Sequence, residues 1–272
     1  MSIFHAILLG ALQGFTEFLP VSSSGHLVLV QELLHINHAG DISFEVFVHF
    51  GTFISVIVAF RKDVFLILNA LLDAIRNPVQ AGQIYKNNLY FRLAVFVLLG
   101  SIPAAVVGLR FEHFIDELFG DPKLVAMMLM ITAFILFMTR FVNPPDTSDV
   151  TLRSAIIIGI AQAIAIIPGI SRAGSTISAG LFSGVSRKES ATFSFLLALP
   201  VIFGATLLKA KDLIQSPPPA EKLLTLLTGT VVAAICGYFA ITLLMGVLRK
   251  RKFSWFAYYC FIIGVIGILF IG

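Results

Sequence analysis

Ten apolar runs, at about 3–19, 21–34, 44–60, 91–110, 123–142, 152–168, 173–183, 191–208, 223–247 and 255–271, leave little of this chain for anything else. A helix needs roughly 20 apolar residues to cross the hydrocarbon core of a membrane. Six of the runs suit single crossings. The other four come as two adjoining pairs: 3–19 meets 21–34 at Pro20 and the polar turn SSSGH, and 152–168 meets 173–183 at PGISRAG. Neither pair has a loop that could leave the membrane. Each therefore reads as a re-entrant hairpin with its tip inside the bilayer, where irregular backbone survives only if protein or water satisfies it. The fold class expected is an all-α integral membrane protein of six transmembrane helices plus two re-entrant helical hairpins. A barrel would instead alternate with period two over about 10 residues. A soluble domain carries roughly 25% charged residues, against 12% here.

Charge orients these elements. The stretch from Arg61 to Arg92 holds Arg61, Lys62, Arg76, Lys86 and Arg92 against two aspartates, and 249–252 reads RKRK. Both are expected to be cytoplasmic loops. The acidic stretch 111–122, with Glu112, Asp116, Glu117 and Asp121, is expected outside, as is the loop Lys209–Lys222 with its run of three prolines. Both termini then lie outside, the first hairpin enters from outside and the second from the cytoplasm. The net charge of +4 resides mostly in loops and reads as topology, not nucleic-acid binding. Cys236 and Cys260 sit inside apolar runs without metal-ligand company. The N-terminus lacks the basic region and small-residue cleavage site of a removable signal peptide.

The halves resemble each other. HAILLGALQ (5–13) matches SAIIIGIAQ (154–162), pairing Gly10 with Gly159 and Gln13 with Gln162. Pro20 and Ser23 match Pro168 and Ser171, and 44–63 aligns with 193–212. This register sets Arg172 opposite Ser24. One hairpin plus three crossings per half is an inverted-topology repeat, expected as one membrane domain with halves of about 1–145 and 146–272. NPPDTSD (143–149) marks the join.

The two breaks carry the chemistry. Gln13 and Glu17 are four residues apart and share one helix face. Ser22, Ser23, Ser24 and Gly25 supply hydroxyls and backbone N–H groups at the start of the next helix, a position that favours anions. His26 lies one turn further on and titrates near neutrality. In the second break, Arg172 is the one charged residue from Ser154 to Ser186. Its planar guanidinium suits phosphate, and Ser171, Ser175 and Thr176 add donors. The bland alternatives are capping serines and a Glu17–Arg172 pair that serves packing alone. Ionisable groups in membrane segments are costly and mark functional sites by default. Pooled at one point, these groups make a phosphate-transfer site: donors for the oxygens, a nucleophile or base, and a cation for developing charge. Glu45 could line the same cavity, whereas His49 reads better as an interior histidine. Abundant phenylalanine suits lipid contact and packing, and would also line a groove for a long apolar substrate tail.

At Q-x-x-x-E (Gln13 to Glu17), P-V-S-S-S-G-H (Pro20 to His26) and P-G-x-S-R-x-x-x-T (Pro168 to Thr176) the chain resembles the bacitracin-resistance type of undecaprenyl-diphosphate phosphatase, over essentially its full length. The resemblance implies hydrolysis of undecaprenyl diphosphate to the monophosphate on the outer side of the bacterial cytoplasmic (inner) membrane. That activity recycles the lipid carrier for peptidoglycan synthesis and confers resistance to bacitracin, which sequesters the diphosphate. It also implies a divalent cation, Mg²⁺ or Ca²⁺. Two positions depart from the family's usual pattern: Gln13 stands where glutamate is frequent, and Ala173 where the motif often has serine.

The mechanism expected gives Glu17, His26, Arg172 and Ser23 the catalytic roles. Ser22, Ser24, Gly25, Ser171, Ser175 and Thr176 bind the substrate phosphate, and Glu17 with Gln13 would hold the metal. Either His26 or Ser23 attacks, or water is activated directly. Partners expected are a prenyl diphosphate lipid, membrane lipids and, as an assembly to be tested, a second copy in a homodimer. Two rivals compete. A type-2 phosphatidic acid phosphatase would need a histidine six residues after Arg172, where Ser178 stands. A transporter would share the inverted repeat and the arginine, but would release no phosphate.

Overall fold

The structure, a computed structural model, describes residues 2–33, 42–215 and 219–271. In chain order the helices are α1 (Ile3–Phe18), α2 (Ser23–Leu33), α3 (Ile42–Ala59), α4 (Arg61–Arg76), α5 (Ala81–Asn87), α6 (Leu89–Arg110), α7 (Glu112–Phe119), α8 (Pro122–Met138), α9 (Leu152–Ile164), α10 (Arg172–Phe182), α11 (Arg187–Gln215), α12 (Ala220–Arg249) and α13 (Phe256–Phe270). The described residues form no strand.

Five helical segments are long and apolar enough to cross a membrane: Leu89–Arg110, Pro122–Phe141, Arg187–Leu208, Glu221–Arg249 and Phe253–Phe270. A sixth candidate is α3, counted together with α4, from which it is bent by 85°. At 1.5 Å per residue α1 is about 24 Å long and α9 about 20 Å, short of the roughly 30 Å hydrocarbon core. Each packs against the helix that follows it, α1 on α2 and α9 on α10.

The expected loop from Arg61 to Arg92 is instead largely helical, as α4, α5 and the start of α6. Its opening charges, Arg61, Lys62 and Asp63, hide a helical period. Val64, Ile67, Ala70 and Ala74 face inward, with Ala70 and Ala74 buried, while Phe65, Leu68, Leu72 and Ile75 stay exposed. The acidic stretch 111–122 is likewise mostly helix, as α7, and Asp121 caps α8 by accepting from the Leu124 N–H at 3.0 Å. The expected loop 209–222 narrows, because α11 extends to Gln215 and α12 begins at Ala220. Pro217 and Pro218 of that loop lie outside the described residues.

The halves interlock. α1 and α3 pack on α12, and α9 packs on α6. Two of these crossings are glycine on glycine. A Cβ on Gly10 would stand 2.7 Å from the Gly229 carbonyl oxygen, and one on Gly159 would fall on the Gly100 carbonyl. Backbones that close admit no side chain, which is why the matched glycines lie where they do. Phe18, at the end of α1, packs edge-on against Phe195 of α11, with Phe60 against the same ring. This buried aromatic cluster fixes the depth of the first tip.

Candidate active site

Helix α1 ends because the chain turns extended at Leu19 and then meets Pro20. Ser22 follows with φ +69°, a left-handed conformation uncommon outside glycine. Several bonds hold it there. Its hydroxyl accepts from the Gly25 N–H at 3.2 Å and lies 3.2 Å from the Ser24 hydroxyl. Its carbonyl is 2.8 Å from Nδ1 of His26. A carbonyl only accepts, so Nδ1 carries the proton. Nε2 is then the acceptor, and the Tyr259 hydroxyl of α13 lies 2.9 Å from it, the two rings stacked 5.5 Å apart. Cys260, the next residue, places Sγ 3.6 Å from the Pro20 carbonyl. The last helix thus clamps the first tip at two points.

The second tip is built alike. Gly169 has φ +90° and lies against the Val125 carbonyl of α8, leaving no room for a side chain. Thr132 of α8 donates to the Gly169 carbonyl at 2.9 Å and accepts from the Ser171 N–H at 3.0 Å. Ser171 caps α10 by accepting from the Gly174 N–H at 3.0 Å. Ser22 does the same for α2 through Gly25, so Ser22 corresponds to Ser171 and Gly25 to Gly174. The register expected from sequence slips by one here: Arg172 stands opposite Ser23, not Ser24. The tips touch where the Gly169 N–H approaches the Ser24 hydroxyl at 3.4 Å.

Glu17 joins the two tips. One carboxylate oxygen accepts from Arg172 Nη2 at 2.9 Å. The other accepts from the Ser23 hydroxyl at 2.7 Å and from Gln13 Nε2 at 3.0 Å. The Glu17 and Arg172 side chains are only 8% and 14% exposed. Among the tip groups, Ser23, Ser24 and Arg172 are partly exposed, while Ser22, Gly25, His26 and Ser171 are buried. Access to the site therefore runs past Ser23, Ser24 and the arginine. Arg172 Nη1 and Gln13 Oε1 are buried and have no hydrogen-bond partner.

Other expected site residues are differently employed. Thr176 is fully buried, donates to the Arg172 carbonyl at 2.7 Å and meets Ser194 of α11 at 2.6 Å. It braces α10 from behind. Ser175 is buried with an unpartnered hydroxyl. Glu45 is exposed, and His49 bonds back to its own helix at the Glu45 carbonyl. Sequence reasoning missed Thr132, Tyr259 and Ser194, whose isolated polar atoms in apolar helices carry no motif. The described residues contain no group of three or more His, Cys, Asp or Glu side chains placed to hold a metal. Oxygen donors remain. Gln13 Oε1 is free, and a carboxylate offers about four lone-pair sites, of which three are taken at Glu17. These two oxygens are the donors on offer to a hard cation, too few to hold one without substrate or water oxygens.

Comparison with known proteins accords with this geometry. The family model described as "Bacitracin resistance protein BacA" matches residues 6–266. A protein of Halothermothrix orenii named undecaprenyl-diphosphatase is 43% identical, the alignment covering 100% of this chain and 99% of the relative. Proteins of the same name from Salinibacter ruber and Korarchaeum cryptofilum are each 41% identical, covering 98% and 97% of this chain and 99% and 98% of theirs.

Proposed function

We propose that this chain, which belongs to the bacitracin resistance protein BacA family, is an enzyme that hydrolyses undecaprenyl diphosphate to undecaprenyl phosphate and inorganic phosphate. Full-length likeness to proteins named undecaprenyl-diphosphatase supports the substrate. The single observation that carries the chemistry is Glu17, bonded at once to a serine of one tip and the arginine of the other.

Ser23 is the nucleophile of this reading. Its hydroxyl lies 2.7 Å from a carboxylate oxygen, the arrangement of a nucleophile and its base. His26 has both ring nitrogens engaged, which argues against its attacking. Arg172 Nη1 takes an oxygen of the terminal phosphate and gains charge-assisted bonds as negative charge develops. The N-termini of α2 and α10 add their dipoles. Ser23 Oγ bonds to the terminal phosphorus while its proton passes to Glu17. The bridging P–O bond breaks and undecaprenyl phosphate leaves. Glu17 hands that proton to the departing phosphate oxygen and is a carboxylate again. It then takes a proton from water, whose oxygen bonds to phosphorus as the Ser23 Oγ–P bond breaks. The proton returns to Ser23 Oγ as inorganic phosphate leaves. A divalent cation, Mg²⁺ or Ca²⁺, held by Gln13 Oε1 and Glu17, would neutralise diphosphate charge when bound.

The charge pattern supports an inner-membrane protein with the first hairpin entering from outside and the site facing that side. Hydrolysis there would recycle the carrier for peptidoglycan synthesis and lower the diphosphate pool available to bacitracin. The matched glycine crossings and matched capping serines support the inverted repeat with halves of about 1–145 and 146–272.

Rapid quench of the purified protein with substrate labelled in the terminal phosphate tests the reading. Acid-stable label that disappears in Ser23→Ala, with turnover reduced at least about a thousandfold, is the result expected. Acid-labile label on histidine, or full turnover by Ser23→Ala, overturns the serine route. No phosphate release by folded wild type across metals overturns the enzyme reading.

A further inference from the structure

A second charged site lies away from the hairpin tips. Where α10 gives way to α11, and α12 to α13, the protein forms a cavity of about 430 Å³. Arg187, Lys188, Arg249 and Arg251 line it, against one carboxylate, Asp146. Met245 and Leu248 form an apolar wall. Lys188 is paired with Glu189 at 3.4 Å, yet the chain still keeps four cationic side chains together here despite their mutual repulsion, and some are held in place. Arg251 has φ +58° and closes α12: its N–H bonds the Leu248 carbonyl at 3.0 Å, and the Lys252 N–H bonds the Val247 carbonyl at 3.1 Å. Glycine usually fills that left-handed position. The arginine kept there reaches Asp146 at 3.2 Å.

Arg187 is the second independent sign. Nη2 makes one long bond, 3.5 Å, to the Val142 carbonyl, and Nη1 is buried with no partner. A buried guanidinium nitrogen without an acceptor lacks an anionic oxygen. The residues beside the cavity are of the kind that mark a membrane–water boundary. Lys252 lies 4.6 Å over the ring of Trp255, which is 62% exposed, as an aromatic anchor at the membrane–water boundary would be. Basic pockets between membrane helices at this level suit the headgroups of anionic lipids.

We propose that this cavity binds the phosphate group of an anionic membrane phospholipid, with Arg187 and Arg251 on the phosphate oxygens and the Met245–Leu248 wall against the start of the acyl chains. α10 separates it from Arg172 by about 16 Å of helix, so it is a site of its own and does not rest on the phosphatase reading. The basic turn 249–252 assigns it to the cytoplasmic leaflet.

Trp255 is the chain's one tryptophan and serves as the probe. Full-length protein is placed in phosphatidylcholine vesicles containing rising fractions of phosphatidylglycerol or phosphatidylcholine brominated near the headgroup, and quenching is followed. Half-maximal quenching is expected at a phosphatidylglycerol fraction about ten-fold below that for phosphatidylcholine. Arg187→Gln with Arg251→Gln should move the phosphatidylglycerol curve onto the other, a loss on the order of ten-fold or more. Arg251→Gln alone changes a side chain that is 58% exposed. It should shift the curve part of the way while the helical circular dichroism signal stays that of wild type. Coincident wild-type curves, or a double variant that quenches like wild type, overturn the proposal. Displacement of brominated phosphatidylglycerol by millimolar inorganic phosphate also overturns it, reassigning the site to the free anion.

Discussion

Replacing Glu17 by glutamine separates the two things this residue does. The substitution keeps size, turns one accepting oxygen into a donor and removes the charge facing Arg172 at 2.9 Å. Both side chains are nearly buried, and removing one partner of a buried pair costs about 3–5 kcal/mol, because the other charge stays desolvated. The new amide oxygen can still accept from Arg172 while its NH2 donates to the Ser23 hydroxyl, so the low end, about 3 kcal/mol, is expected. For a protein of this size that is a fall of roughly 6–12 °C in the apparent unfolding midpoint in detergent. Adding Arg172→Gln removes the orphaned charge and should return the midpoint to within about 3 °C of wild type. Turnover follows the opposite rule. Loss of a general base costs about 10²–10⁴ and loss of an electrostatic donor about 10²–10³. Neither single variant nor the double should therefore release phosphate above about a hundredth of the wild-type rate. Stability regained with activity still absent is the signature of a pair poised for chemistry. A Glu17→Gln protein as stable as wild type, or a double variant that regains turnover, refutes the argument.

Tyr259→Phe takes away the donor to His26 Nε2. If His26 positions the Ser22 turn, kcat should fall about ten-fold with KM little changed, and the ¹⁵N signals of His26 should lose the pattern of a single neutral tautomer; a nucleophilic His26, freed of its partner, would instead gain activity. Gly159→Ala should destabilise by about 3 kcal/mol or more in the same unfolding assay, since its Cβ would fall on the Gly100 carbonyl and two backbones cannot both give way. Gly246→Ala, whose Cβ would meet nothing within 4 Å, is the control and should raise the unfolding midpoint slightly.

The spans and breaks were readable because hydropathy and helix-breaking residues act locally. Pro20, Pro168 and Gly169 interrupt helices wherever they occur, and Glu17 and Arg172 stand out in apolar surroundings. Helix α4 was not readable as such. Its charges announced a loop, while its apolar face, divided between protein contact and exposure, carries no run long enough to notice. The one-residue slip that put Arg172 opposite Ser24 has a similar cause. Prolines align as letters, but the turns are aligned by the hydroxyls that cap α2 and α10, and capping is visible only once Gly25 and Gly174 are placed. Tyr259 sits in the apolar run 255–271 with no motif to mark it.

What the sequence leaves implicit is why two copies of one hairpin are needed. Each tip is held by a helix from the opposite half: Thr132 of α8 grips Gly169 and Ser171, and Tyr259 with Cys260 of α13 grips His26 and Pro20. α8 and α13 pack against each other. The two clamps are thus packed together and set the distance between Ser23 and Arg172 jointly. Neither tip holds both a base and a guanidinium, so the chemistry exists only at their junction. As the structure stands, the positive charge of Arg172 is spent on Glu17. A diphosphate entering past Ser23 and Ser24 offers Arg172 denser negative charge than one carboxylate. As Arg172 turns toward it, Glu17 is left as a stronger base, next to the one hydroxyl already donating to it. On the proposed mechanism, substrate binding and activation of the nucleophile are one electrostatic exchange, in which Arg172 restrains the base until phosphate arrives.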